Sequence, residues 1–529
     1  MSYMTTMTDP HPQGGFKLSM LIYDSRYRSM TIQIVALIGF LTLIGWLINN
    51  TAQNLADLGK EPSFGFMTEG AGYDINQKLL DYNSTHTHAK AALLGLLNTL
   101  LVAVLGCITA TVIGVLVGVA RLSHNWIISR LMAFYVEMFR NVPVLLWIVL
   151  AMAIMIESFD PPKSFRPPRG GGEATASMLL GDSVAVSNQG IFIPRLVPSD
   201  LGLWILVVLA LSLVAIRMIR KWADKRQEQT GDRPHTLWLN IGVFVVPSAL
   251  AYFALTAISS SNQQAYIAVG VENPADFAAY IEEHGKFNYC HASGSAASLN
   301  GIRALTADEV NFGRKNFFSQ SAARTGLLEG KCDVLVVDAS GAEDIAAEVA
   351  ESVRGGKPVA MFDAGFTEGR AIEVERPAVT TKGIAKFEGG THMRNSLIAL
   401  WLALSLYTAA FIAEIVRAGI LAISKGQSEA AGALGLRPRR IMSLVVLPQA
   451  LRVIIPPLIS NYLNLTKNSS LAIAVGYMDL TGTLGGITLN QTGRELETLL
   501  LLMLIYLIIS LTISALMNWY NNSVKLKER

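Results

Sequence analysis

At 529 residues, with 51% hydrophobic and only 16% charged side chains and a mean hydropathy of +0.39, the chain has too little polar surface for a soluble protein of its size. The formal net charge of +3 is small, and the basic residues crowd into a few loops. That distribution fits the positive-inside bias of a polytopic membrane protein better than nucleic-acid binding.

Residues 1–30 are polar and end in Tyr23-Asp24-Ser25-Arg26-Tyr27-Arg28. No small-residue cleavage site follows the apolar stretch 31–48, which reads as a retained span rather than a removed signal peptide. Further apolar segments near bilayer length lie at 91–120, 141–156, 201–216, 239–258, 396–416, 451–476 and 497–517, predicting about eight transmembrane helices. The seventh is broken by Pro456-Pro457 and a polar stretch. The loop 157–200, with Pro161-Pro162, Pro167-Pro168 and Gly170-Gly171-Gly172, reads as irregular.

Basic residues fall on one side if the spans alternate. Arg26 and Arg28 precede the first span, Arg121, Arg130 and Arg140 follow the second, and Arg217, Arg220, Lys221, Lys225, Arg226 and Arg233 follow the fourth. Arg437, Arg439, Arg440 and Arg452 follow the sixth, and Lys525, Lys527 and Arg529 come after the eighth. This register puts both termini in the cytoplasm. Residues 259–393 break the pattern: they are polar, too long for an ordinary loop, and placed outside by the topology. Tyr266–Val269 and Val334–Val337 read as strands, and 275–284 and 342–354 as amphipathic helices, so a small α/β domain is expected there. The organisation is then a cytoplasmic segment 1–30, five spans in 31–258, the inserted domain 259–393, and a second membrane half 394–529 containing a cytoplasmic loop at 417–450. Of the three cysteines, Cys107 lies in an apolar run. Cys290 and Cys332 either pair in an oxidising compartment or stay as reduced thiols.

The loop after the sixth span holds Glu429-Ala430-Ala431, then Gly435, then Val445-Val446-Leu447-Pro448. Physically this is a short helix, a glycine turn and a second helix. Small alanines let the first helix seat closely in a partner's groove, and Gly435 permits the reversal. The pattern Glu-Ala-Ala, three residues, Gly, nine residues, Ile-x-Leu-Pro, with Val445 in place of the isoleucine, resembles the cytoplasmic coupling element of ABC importer permeases. Phe411–Ile420 and Asn464–Leu471 are similar to the polar amino-acid branch of that family. Gly95, Thr99 and Leu100 resemble its first core helix, and Arg140-Asn141-Val142-Pro143 the turn into its third. The nearest resemblance is to the general L-amino-acid permease subgroup. It covers 31–156 and 396–529 well, 201–258 loosely, and 259–393 not at all as permease.

The resemblance implies an all-α polytopic membrane protein of the type I ABC importer permease fold in the cell inner membrane, with the inserted α/β domain in the periplasm. It implies L-amino-acid cargo and three partners: an ABC ATPase, a second permease subunit and a periplasmic amino-acid-binding protein. Energy must come from the separate ATPase, which carries the ATP and Mg, because Gly285-Lys286 and Gly330-Lys331 lack the rest of a phosphate loop. This chain is expected to carry no cofactor and no metal; His86 and His88 are expected to be solvated. In the pathway, Asn461, Asn464, Thr466, Lys467, Asn468 and Ser469 are costly at membrane depth unless they face water, protein or substrate. Glu414 and Arg417, three apart at the inner end of a span, read either as an intrahelical pair or as gating residues.

The segment from Tyr289 to Ala296 and that around Asp338 resemble one lobe of a periplasmic amino-acid-binding protein. There a small-residue loop, here with Ser293 and Ser295, cradles a carboxylate, and an aspartate such as Asp338 takes the ammonium. The same resemblance pairs Cys290 with Cys332. The second lobe is missing, so a structural or docking role is favoured over ligand capture. An ion-coupled secondary amino-acid transporter is the competing reading; it would be expected to show inverted repeats and membrane-embedded carboxylates, and neither is evident.

Overall fold

A computed structural model describes residues 25–524 except 58, 60–61, 169–172, 199–200, 231–233, 235, 260–262, 270–276, 294, 308–309, 339–341, 353–358, 367–370 and 381–383. Most of the expected N-terminal segment and the basic residues Lys525, Lys527 and Arg529 lie outside the described residues.

Helices α1 (Ser25–Asp57), α2 (His88–Ala120), α3 (Trp126–Asn141) and α4 (Val144–Ser158) come first. Short strands β1 (Ala185–Ser187), β2 (Gly190–Ile193) and β3 (Arg195–Pro198) follow, and then a hairpin of α5 (Trp204–Thr230) and α6 (Leu237–Ser259). Strands and helices then alternate: β4 (Gln263–Val269), α7 (Phe277–His284), β5 (Phe287–Ala292), α8 (Ala296–Ala307), β6 (Phe312–Phe317), α9 (Gln320–Leu328), β7 (Val334–Asp338), α10 (Ala342–Ser352) and β8 (Val359–Phe366). Strands β9 (Ile372–Glu375), β10 (Ala378–Val379), β11 (Phe387–Glu388) and β12 (Thr391–Arg394) lead into α11 (Asn395–Leu421). The chain ends with α12 (Lys425–Ala433), α13 (Pro438–Ile441), α14 (Leu447–Asn468), α15 (Leu489–Thr492) and α16 (Glu495–Val524).

Among the described residues, eight helices are long and apolar enough to cross a membrane, and each expected apolar segment falls on one of them. The segment 126–141, given no element from the sequence, forms α3, an amphipathic helix capped by the Asn125 side chain, which accepts from the backbone N–H of Ile127 and Ile128. Helix α11 is the most enclosed, packing against α2, α3, α4 and α14. The reason is residue size. Gly114 and Gly118 of α2 lie against α11: a Cβ at Gly114 would meet Ile412 at 2.6 Å, and one at Gly118 the Ala413 carbonyl at 2.7 Å. In lipid, where apolar side chains gain nothing by leaving solvent, such close backbone approach is what lets dispersion hold helices together. Leu400, Leu404, Ile412 and Val416 of α11 complete this core with Val102 and Ala110 of α2, Ile148 of α4 and Ile454 of α14. Helices α1 and α6 are exposed along their apolar windows, and α5 packs chiefly on α6.

Outside the bundle, five strands form one sheet in the order β6-β5-β7-β4-β8, with β5 parallel to β6 and β7, and β4 antiparallel to β7 and β8. Alternate residues bury opposite faces: Tyr266, Tyr289 and Val336 on one side, and Ile267, Cys290 and Leu335 on the other. Two features go beyond what the sequence led one to expect. The loop 157–200 is not irregular throughout, because it contributes three strands, and residues 372–394 do not belong to the five-stranded sheet. Instead β9 pairs with β3 and β12 with β2, so the segment before α5 and the segment before α11 are sewn together. Such long-range pairing leaves no local sequence signal, since both partners are short and mixed in polarity.

Strand β9 also closes a polar cluster against the sheet. Buried His291 on β5 has its Nε2 3.2 Å from Glu375 Oε1 and its Nδ1 3.1 Å from Ser298 Oγ, while Arg314 Nη2 donates to Glu375 Oε1 at 3.1 Å. Burial pushes the His291 pKa down, against the pull of Glu375. For Glu375 burial pushes up, but the His291 hydrogen bond and the charges of Arg314 and Arg195 outweigh it and hold the carboxyl low.

Two outcomes are expected. Gly114→Leu should overpack the α2–α11 contact and destabilise the chain by about 1–3 kcal/mol, read as a lower thermal midpoint in detergent. Both shifted groups bind protons more readily when unfolded, so stability should fall as pH drops through the ordinary histidine value of 6.5 and again through the ordinary glutamate value of 4.5. Thermal unfolding from neutral to mildly acid pH checks this, and His291→Asn should flatten the upper part of the slope.

Candidate coupling and pathway site

Helix α12 begins after Ser424 and ends in a turn that satisfies its last carbonyls. The N–H of Gly435 donates to Gly432 O at 2.9 Å and that of Leu436 to Ala431 O at 3.3 Å, the paired pattern of a Schellman C-cap. Gly435 sits at φ +77°, a left-handed conformation that penalises any Cβ. Glu429 and Ala430 are exposed, Ala431 is buried, and Leu434 at the tip is 82% exposed. Pro438 then opens α13, where its missing N–H costs nothing. A π-helical turn at Met442–Val446 leads into α14, which starts at Leu447-Pro448. The segment is therefore a helix, a glycine reversal and a helix, with an exposed glutamate on the first helix and an exposed leucine at the tip.

Next to this loop, Glu414 ties three helix ends together. Its carboxylate bonds Arg121 at the end of α2 and accepts from Arg417 one turn on at 3.2 Å, and Arg140 in the last turn of α3 stands 3.9 Å away. Arg140 also lies over the Phe411 ring, 5.5 Å from its centroid. The intrahelical Glu414–Arg417 pair is present as one arm of a four-residue network. Its other arms went unseen in the sequence, where Arg121 and Arg140 registered only as topology markers; their shared side of the membrane was the available signal.

The polar residues of α14, with Ser469 just after it, fall into three sets. Thr466 and Ser469 are buried and bond backbone on their own segment, Thr466 Oγ1 donating to Tyr462 O at 2.9 Å and Ser469 Oγ to Thr466 O at 2.7 Å. Asn461 Nδ2 donates to Pro457 O at 3.0 Å, and Asn468 is half-buried. Asn464 and Lys467, three apart, are exposed on the surface of the chain. Inside the bundle, a polar ladder missed by sequence reasoning links three helices. Trp401 donates to Thr109 Oγ1 at 3.1 Å, Thr109 Oγ1 lies 2.5 Å from Ser405 Oγ, and Thr111 Oγ1 lies 2.6 Å from Tyr462 OH.

The segment after α14 does not leave at once for the last span. It folds back against the first turns of α2: Asn98 Nδ2 donates to Met478 O at 2.9 Å, Thr99 Oγ1 accepts from Leu480 N at 3.0 Å, and Gly95 leaves no room for a Cβ beside the Asp479 carbonyl. Buried Asp479 accepts from Gly482 N at 2.8 Å and from Tyr506 OH at 3.2 Å. His88, expected to be solvated, is instead buried, its Nδ1 3.0 Å from Thr488 Oγ1, because this folded-back segment covers it.

In the sheet, Cys290 and Cys332 form a disulfide with a Cα–Cα distance of 5.5 Å. Ser295 Oγ accepts from Ser298 N at 3.3 Å at the start of α8, and Ser293 N donates to Phe317 O at 2.7 Å. Asp338 ends β7, and its side chain lies outside the described residues.

Residues 387–526 match the family described as binding-protein-dependent transport system inner membrane component. Over its whole length the chain is similar to the glutamate/glutamine/aspartate/asparagine transport system permease protein BztB of Rhodobacter capsulatus, at 44% identity over 99% of this chain and 100% of that one. It is also 34% identical to the general L-amino acid transport system permease protein AapQ of Rhizobium johnstonii, over 100% of both chains. A third relative, the putative amino-acid ABC transporter permease protein YhdX of Escherichia coli, is 32% identical over 98% of this chain and 100% of its own. Full-length identity at these levels settles the family: the chain belongs to the amino-acid ABC transporter permeases, multi-pass proteins of the inner membrane.

Proposed function

We propose that this permease couples to its ATPase through α12, Gly435 and α13, and carries cargo past the polar face of α14. The observation that carries the reading is the loop itself: a capped nine-residue helix reversed at a left-handed glycine, with Glu429 and Leu434 exposed beside it. An exposed leucine at the tip of a helical reversal is the kind of anchor that fills a groove on a partner protein. Arg437 and Arg440 on the same loop support a cytoplasmic placement, and Arg121, Arg140 and Arg417 lie at the same end of their helices. The disulfide between Cys290 and Cys332 supports the opposite placement for the sheet, in an oxidising compartment such as the periplasm, with both termini cytoplasmic.

ATP and Mg bind on the separate ATPase in this reading, and the chain works with a second permease subunit and a periplasmic amino-acid-binding protein. Asn464 and Lys467, exposed on a single chain, then face the second permease across a shared pathway, where an ammonium and an amide can meet the cargo's carboxylate. The relatives' names point to L-amino acids, with acidic amino acids and their amides the favoured cargo. The Glu414 network joins the ends of α2, α3 and α11, so movement of the loop reaches all three together. Ion-coupled transport has no comparable support.

Glu429→Lys and Gly435→Trp should each abolish ATP-driven uptake in proteoliposomes while leaving membrane insertion intact, with the thermal midpoint of the isolated chain near wild type for Glu429→Lys and lowered by the left-handed backbone for Gly435→Trp. Normal uptake by either variant with the ATPase bound would remove the coupling assignment. Glu414→Ala leaves three arginines without their shared carboxylate and should lower stability by about 1–3 kcal/mol. It should also uncouple, with ATP hydrolysis by the assembled complex losing its response to loaded binding protein.

A further inference from the structure

The inserted sheet carries a groove that neither the coupling loop nor the transport pathway uses. Strand β6 is the edge of the sheet, and β9 to β11 fold past it without pairing to it. Between them lie cavities of about 430 and 600 Å³ that adjoin along Ile302, Arg314, Ala378 and Glu388, which line both. Each volume is in the range of small-molecule sites.

The charges of the groove are unequal. Five cationic side chains line it: Lys286, Arg303, Arg314, Arg376 and Lys386. Only two carboxylates do, Glu375 and Glu388, and each already has a partner: Glu375 with Arg314 and His291, and Glu388 with Lys386 at 3.0 Å. Arg303 is held from behind by buried Glu373 and by the Val374 carbonyl, which fixes its stem along the wall. Arg314 sits where the two cavities meet. Its side chain is 16% exposed, one amino group is engaged by Glu375, and its Nε is buried with no hydrogen-bond partner. A guanidinium has five donors in a planar fork, and a singly anchored one has donors to give to a second oxyanion. Leu299, Ile302 and Val310 supply the apolar part of the walls, which lowers the local dielectric around those donors.

We propose that this groove binds a small dicarboxylate, with one carboxylate on Arg314, where the two cavities meet, and the second on Arg376 in the one cavity or Lys286 in the other. A cation is disfavoured because both lining carboxylates are paired. A large polyanion is disfavoured because the tightest donor lies at the floor. The site is distinct from Ser293, Ser295 and Asp338, and the inference stands apart from the transport reading, since binding here needs neither ATPase nor binding protein.

The test is calorimetry on the purified full-length chain in detergent, with succinate, glutarate, L-glutamate and inorganic sulfate as probes. Saturable binding of at least one dicarboxylate is expected, weakening as salt is added. Arg314→Gln should lower its affinity about tenfold or more, and Arg376→Gln by a few-fold. Arg376 is exposed, so its variant tests the groove without disturbing the buried cluster. The Cys290–Cys332 disulfide and the thermal midpoint report whether each variant has folded. The proposal is overturned if no dicarboxylate binds saturably, if sulfate binds as tightly as succinate, or if folded Arg314→Gln and Arg376→Gln both bind as wild type. Binding lost in Lys467→Gln but kept in Arg314→Gln would move the site to α14 and overturn it equally.

Discussion

The close approach of α2 to α11 over Gly114 and Gly118 is the contact on which the bundle around α11 depends. In a bilayer, helices gain little by hiding apolar side chains from one another, so the distance at which backbones meet decides how well they pack. With glycine at these two positions, Ile412, Ala413 and Val416 seat directly on the α2 backbone. At one end of the contact Arg121 is thereby brought to Glu414, and near the other Asn98 and Thr99 hold the folded-back segment around Asp479. The Arg121–Glu414 contact depends on this spacing, and the Asn98 and Thr99 contacts depend in the same way on Gly95, where a Cβ would meet the Asp479 carbonyl at 2.8 Å.

Helix α11 joins the parts that a transporter must keep in step. It starts directly from β12, which is paired to β2, and it ends at the loop of α12 and Gly435 proposed to meet the ATPase. Its 27 residues span about 40 Å, so the strands outside the bundle and the exposed loop at the far end share one rigid element. A loop pulled by a partner can reset such a bundle only if the change is shared among helices, and Glu414 provides that sharing by holding α2, α3 and α11 through three arginines. The polar ladder of Thr109, Thr111, Ser405 and Tyr462 lies between, where interhelical hydrogen bonds pin the relative rotation of α2, α11 and α14.

The spans were legible because bilayer length and charge placement are read locally, and the Glu-Ala-Ala loop because its glycine and Leu-Pro stand at fixed offsets. The sheet was legible in part: Tyr266–Val269 and Val334–Val337 are apolar runs of strand length, and both lie in strands. What escaped was long-range. Strands β2, β3, β9 and β12 are four residues each, and they find partners some 180 to 200 positions away, so no window of sequence contains the pair. The arms of the Glu414 network and the burial of His88 failed for the same reason: each depends on a segment brought alongside by the bundle, and polarity alone says only that a histidine can be solvated. Charge in the inserted segment was visible as composition, but the concentration of arginines in one groove follows from β9 folding over β6.

The central claim is that this chain is one half of a permease driven by a separate ATPase. The most direct measurement is the subunit composition of the complex released from membranes in mild detergent, taken by native mass, together with uptake by the chain reconstituted alone. The account requires a stoichiometric ATPase and a second permease subunit in the complex, and no amino-acid uptake by the chain alone under an ion gradient. Gradient-driven uptake by the chain alone, with no ATPase in the complex, would contradict it.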